Sequence, residues 1–196
     1  DPDSFHFFPS GSVGIPPVVA GYMALAYRFA EFHFNQKFEI PKNPHFWALM
    51  GDAEYREGSL AESMPDLAER GVNNLTWIID YNRQNLDGTR IINEASLDGT
   101  DAERIERAAA ANGWKAIQLK HGKRRLEFFS HPGGEVLRRI FDKTSDFEFQ
   151  TWVLKRDPSL IRNRWVQIEP SIKQLLEKLT NTEVLTLLED LGGHDL

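Results

Sequence analysis

The chain has 196 residues, an apolar share of 41%, a charged share of 27% and a formal net charge of −6. This is enough for one sizeable domain of ordinary soluble composition, and the acidic balance argues against a nucleic-acid platform, which needs a basic surface. The lack of cysteine excludes disulfides, Cys-ligated zinc, iron–sulfur clusters and thiol catalysis.

In chain order, Asp1-Pro2-Asp3-Ser4 lacks the basic start of a signal peptide. No later run approaches the roughly 20 apolar residues of a membrane span, so a cytoplasmic protein is the default expectation. Phe5-His6-Phe7-Phe8 is too apolar for a free tail. The turn Ser10-Gly11-Ser12-Val13-Gly14-Ile15-Pro16-Pro17 feeds a helix expected from Pro17 to Phe34, with Ala20, Met23, Ala24, Tyr27 and Ala30 on its buried stripe. A connector over 35–44 leads to a strand at Phe46–Met50. A helix from about Ser59 to Arg70 follows, stopped by Gly71 and kinked or divided by Pro65.

Leu75–Ile79 is nearly continuously apolar, as a parallel strand covered on both faces would be. Residues 80–100 read as a long loop region. Asp101 opens a helix through Ala111 that Asn112-Gly113 ends, and Trp114–Leu119 reads as a third strand. The basic run His121-Gly122-Lys123-Arg124-Arg125 reads as a solvated loop. Further helices are expected near Glu135–Phe141, Pro170–Leu179 and Thr182–Leu191. The chain stops at Gly192-Gly193-His194-Asp195-Leu196, which reads as a helix stop followed by the start of another element. Both ends therefore look cut, and a piece of a longer polypeptide is expected.

Alternating strands and helices predict an α/β fold with a parallel sheet and helices on both faces. In such sheets ligands sit outside the carboxyl ends of the strands. Two motifs fall there: Gly51-Asp52-Ala53-Glu54 after the first strand, and Asp80-Tyr81-Asn82-Arg83-Gln84 after the second. Asp52 and Asn82 are thirty positions apart, about one strand–helix–strand unit. A carboxylate and an amide oxygen beside a turn at a helix start suit Mg²⁺ holding a diphosphate. Taken alone, Gly51-Asp52 reads more readily as a helix cap; the pairing with Asn82 makes the metal reading specific. His6, His33, His45, His121, His131 and His194 show no metal-ligand pairing, and none is given a catalytic role.

The paired motif resembles the thiamine diphosphate signature of the transketolase and 2-oxoacid dehydrogenase superfamily, which reads Gly-Asp-Gly, some thirty residues, then Asn. The nearest resemblance is to the homodimeric type of pyruvate dehydrogenase decarboxylating component. Asn82-Arg83-Gln84-Asn85-Leu86-Asp87-Gly88 is similar to that family's N-L-Q-R-L-D-G, and Ile91-Ile92-Asn93-Glu94 to its I-I-N-E. Phe8-Pro9-Ser10-Gly11-Ser12-Val13-Gly14 resembles its F-P-T-V-S-M-G. Gly113-Trp114 and Gly192-Gly193-His194-Asp195 also match in order.

The resemblance implies a transketolase N-terminal-like fold and a diphosphate-binding domain over 1–196. It implies Asp52 and Asn82 as Mg²⁺ ligands, with Gln84 through its carbonyl. Gly51, Ala53 and Glu54 would line the diphosphate, the last two through backbone N–H groups. Leu86, Ser12 and Gly14 would lie near the cofactor, and Glu57 in the network between paired cofactors. The activity implied is decarboxylation of a 2-oxoacid by an oxidoreductase, with acyl transfer to a lipoyl-bearing acyltransferase. The Glu that starts this chemistry is expected on a pyrimidine-binding domain or second subunit, typically in a homodimer, so the chain alone is expected to be inert. Two departures stand out: Ala53 replaces the last Gly of the motif, and Asp80 replaces an Asn. A transketolase-like or split two-subunit enzyme, and a non-catalytic domain that kept the fold, are the alternatives.

Overall fold

A computed structural model describes residues 11–34, 42–82 and 101–193. They divide into two compact units, one of 11–34, 42–82 and 105–116, the other of 101–104 and 117–193. Among the described residues no helix is long and apolar enough to cross a membrane.

The first unit holds α1 (Ile15–Phe34), β1 (Phe46–Gly51), a 3₁₀ turn (Glu54–Arg56), α2 (Gly58–Glu69), β2 (Leu75–Asp80) and most of α3 (Asp101–Ala111). β1 and β2 pair in parallel, from Phe46 opposite Leu75 to Gly51 opposite Asp80. Both strands and all three helices fall within two residues of where the sequence puts them. Ala24, Ala48, Met50, Leu60, Met64 and Leu67 are buried.

The contact between α1 and α2 needs Gly21: a Cβ there would lie 2.4 Å from Leu67 Cδ1. α2 runs through Pro65 unbroken, against the expected division. Ring nitrogens tie the layers: Trp77 Nε1 donates to the Pro17 carbonyl (3.2 Å), and Trp114 Nε1 to that of Met64 (2.8 Å).

Two strand expectations change. Trp114–Leu119 is not a strand. Its fixed point is Trp114, stacked on Trp77 at 4.4 Å, a side-chain anchorage that requires no ladder. β2 is not enclosed on both faces by the described residues. Trp47, Leu49 and Ile78 share the face away from α1 and are 64%, 69% and 44% exposed.

The second unit is helical: α4 (Lys123–Ser130), α5 (Glu135–Lys143), α6 (Asp146–Lys155), α7 (Pro158–Ile168), α8 (Lys173–Leu176) and α9 (Asn181–Glu189). Its core includes Leu137, Ile140, Phe141, Trp152, Ile161, Trp165, Val184 and Leu188. The expected helix at Pro170–Leu179 is a 3₁₀ turn over Pro170–Ile172 followed by the short α8.

The solvated-loop reading of the basic run is overturned. Gly122 precedes α4, and Arg125 is 2% exposed. Its guanidinium donates to the carbonyls of Leu187 and Leu188 at the end of α9 and lies 4.0 Å above the Phe141 ring. A charged donor at a helix C-terminus satisfies carbonyls that have no intrahelical partner.

Candidate active site

The carboxyl edge of the sheet is assembled by the parallel register. After Gly51 meets Asp80, the Asp52 N–H donates to the Asp80 carbonyl at 3.2 Å. That bond carries strand pairing one residue into the first motif, so the two expected metal ligands follow adjacent strand ends. The Asp52 side chain is 1% exposed. Asn82 is exposed, and its Nδ2 donates to Asp80 Oδ2 at 3.3 Å. A carboxylate only accepts, so this bond turns the amide nitrogen toward Asp80 and assigns the carbonyl oxygen to the other side.

α1 delivers a third component. Pro17, near its start, accepts from Trp77, while Ala24 accepts from Asn74, just before β2 (3.4 Å). The helix thus runs antiparallel to the strands, and its N-terminus reaches the edge where β1 and β2 end. The N-terminus of α2 follows the same edge. Two helix starts, each with N–H groups lacking intrahelical partners, favour an anion there.

The loop before α1 is bent by positive φ at Ser12 (60°) and Gly14 (77°). A Cβ on Gly14 would lie 2.7 Å from both Glu57 Cβ and Leu60 Cδ1, so glycine is required by space as well as by dihedral. The Gly14 N–H donates to Glu54 Oε1 at 3.1 Å, and Glu54 is 4% exposed. The family resemblance implies only a backbone role for Glu54. Its side-chain bond joins positions forty residues apart and has no local pattern that could reveal it.

Ala53 has φ −70° and ψ −43°. This is ordinary right-handed backbone, so alanine in place of the motif glycine carries no left-handed strain. Gly51, Asp52, Ala53, Glu54, Ser12, Gly14 and Asn82 all lie at this edge or on the loop packed beside it. Gln84 and Leu86 lie outside the described residues. Among the described residues no group of three or more His, Cys, Asp or Glu side chains converges as a metal site. The donor types of Asp52 and Asn82 are hard oxygens, the kind that suits Mg²⁺.

No protein-family model matches the chain. Curated relatives do match it over 97% of its length. The pyruvate dehydrogenase E1 component of Corynebacterium glutamicum is 29% identical over 97% of this chain and 20% of its own length. That of Mycolicibacterium smegmatis is 28% identical over 97% of the chain and 19% of its own length. The Escherichia coli E1 component is 26% identical over 97% and 20%, respectively. The chain therefore spans about a fifth of the length of the relatives it matches.

Proposed function

We propose that this chain, a homologue of pyruvate dehydrogenase E1 components over 97% of its length, supplies the diphosphate-holding part of a thiamine diphosphate-dependent enzyme of that type. The observation that carries the reading is the parallel register. It brings the buried carboxylate of Asp52 and the amide of Asn82 to one sheet edge, at the starts of α1 and α2.

In this reading Asp52 and the Asn82 amide oxygen hold Mg²⁺, and the Gln84 carbonyl completes the protein's share. Backbone N–H groups of Ala53 and Glu54 bind the diphosphate, and the Ser12–Gly14 loop walls the site. The protein then contributes one formal negative charge, which suits a ligand that is itself polyanionic. Attack on a 2-oxoacid's keto carbon and loss of CO₂ are chemistry that bound thiamine diphosphate supplies. The side chains of this chain bind and orient. A pyrimidine-binding domain or second subunit would complete the site, and a lipoyl-bearing acyltransferase would take the acyl group, in the cytoplasm.

Calorimetry on the full chain with Mg²⁺ and thiamine diphosphate tests the reading. Mg²⁺-dependent binding that is lost in Asp52→Ala and Asn82→Ala is expected. Wild-type protein that binds no cofactor with Mg²⁺ present would overturn it. With the completing pyrimidine-binding domain supplied, turnover of 2-oxoacids rather than ketose phosphates separates this activity from a transketolase-like one.

A further inference from the structure

The buried Glu54 carboxylate has a task that backbone contact to a diphosphate does not explain. A carboxylate 4% exposed is costly to bury and must be held by specific hydrogen bonds. One of them comes from Gly14, immediately before α1, at 3.1 Å. Glu54 itself opens the 3₁₀ turn that follows Asp52 and Ala53. The bond therefore ties two chain segments forty residues apart, the Ser12–Gly14 loop and the Asp52 turn.

The loop is demanding to hold. Ser12 is a non-glycine residue at φ 60°, a conformation that costs roughly 1 kcal/mol or more. The Gly14 backbone is pressed against Glu57 and Leu60 with no room for a methyl group. A strained loop persists only where its surroundings over-determine it. The Glu54 bond and the Gly14 contact with the start of α2 both restrain it.

We infer that Glu54 is a positioning residue: its carboxylate locks the Ser12–Gly14 loop onto the Asp52 turn, so that both present one fixed surface to a diphosphate. The inference deepens the proposed function and rests on it for the ligand. Its geometric half, the restraint on Gly14, stands on this chain alone. Pre-organisation of this kind strengthens binding because ordering the loop is not charged to the ligand.

Two substitutions separate reach from charge. Glu54→Asp keeps the charge and withdraws the carboxylate by one methylene. Glu54→Gln loses the charge and keeps an acceptor oxygen at the same reach. Both are made in the full chain. Two measurements follow: hydrogen exchange over residues 11–21 without ligand, and Mg²⁺-dependent thiamine diphosphate affinity by calorimetry. Leu67→Ala, a core truncation under α1, controls for loosening alone.

Glu54→Asp is expected to speed exchange over 11–21 and weaken affinity about tenfold, the size of one intramolecular hydrogen bond. Glu54→Gln, which keeps a neutral acceptor at the same reach, should lose less of either than Glu54→Asp, and Leu67→Ala should lower the melting temperature with affinity retained. If wild type binds and Glu54→Asp binds equally well, the positioning role is overturned while the site reading stands. If Glu54→Gln weakens as much as Glu54→Asp, charge rather than reach matters, and the lock is overturned. If wild type does not bind at all, the diphosphate reading fails first and the positioning role falls with it.

Discussion

The Asp52 N–H donates to the Asp80 carbonyl at 3.2 Å, so strand pairing continues past the last residue of β1 and into the putting-together of the site. Main-chain atoms alone make this bond. The Asp52 backbone is consequently placed by the ladder, and binding can be tested apart from folding. Asp52→Asn retains the ladder and nearly the same volume but removes the anion. Its unfolding midpoint should be no lower than wild type. Its Mg²⁺-dependent affinity for thiamine diphosphate should fall by roughly 10- to 100-fold, the range of a charge-assisted contact. Paired melting and calorimetry check this; equal affinity would exclude Asp52 as a ligand.

Ala53 leads to a prediction opposite to the motif's appearance. Restoring the glycine looks like a repair, yet φ −70° and ψ −43° are favourable for alanine. Glycine there would mainly add unfolded-state freedom. Ala53→Gly should destabilise the protein by roughly 0.5–1 kcal/mol, as glycine does in regular helical backbone. Cofactor affinity should not improve. Urea denaturation with parallel titrations measures both; a marked gain in affinity would mean that the alanine methyl obstructs the ligand.

These two cases show what was legible in the sequence. The apolar runs Phe46–Met50 and Leu75–Ile79, each ending at a polar motif, sufficed to place Asp52 and Asn82 at one edge. Parallel pairing leaves a strand–helix–strand unit little choice. The bond from Gly14 to Glu54 was not legible, because a contact across forty residues has no local signature. Trp114–Leu119 looked like a strand from its composition, but a strand needs a neighbour as well as propensity. The helical unit carries local signals of its own. Ser145 caps α6 by accepting from Glu148 N, and Asp157-Pro158 starts α7. Arg125 misled for a different reason: three consecutive basic residues suggest solvent, and the carbonyls that receive its guanidinium lie more than sixty residues away.

Arg125 should accordingly be among the most sensitive positions of the second unit. Arg125→Ala removes the donors to Leu187 and Leu188 and the cation above Phe141. The loss should be about 3 kcal/mol or more, since hydrogen bonds to charged groups contribute about 1.5–3 kcal/mol each and buried carbonyls are left without donors. Arg125→Lys should recover only part, because an ammonium cannot fork to two carbonyls. Urea midpoints of both variants test this. A loss below about 1 kcal/mol for Arg125→Ala would place the guanidinium among ordinary surface contributions.

Burial and the Arg125 charge together set the acid behaviour of His121. His121 Nδ1 lies 3.4 Å from Arg125 Nη1, and the ring meets Phe129 edge-on at 4.9 Å. Burial first, then the charges of Arg125, Lys120 and Arg138, push its pKa down to about 3. The unfolded chain takes up this proton near pH 6.5, the ordinary histidine value, and the folded protein only near pH 3. Between those values the unfolded state binds more protons, so stability falls as pH falls. Below about pH 3 both states are protonated, and His121 adds no further slope. His121→Phe keeps an aromatic ring against Phe129 and Phe141 and removes the titration. Its stability should decline less than that of wild type from pH 7 to about pH 4, as measured by urea unfolding at successive pH values. Parallel curves for the two proteins would show that His121 takes no part in the acid sensitivity of this unit.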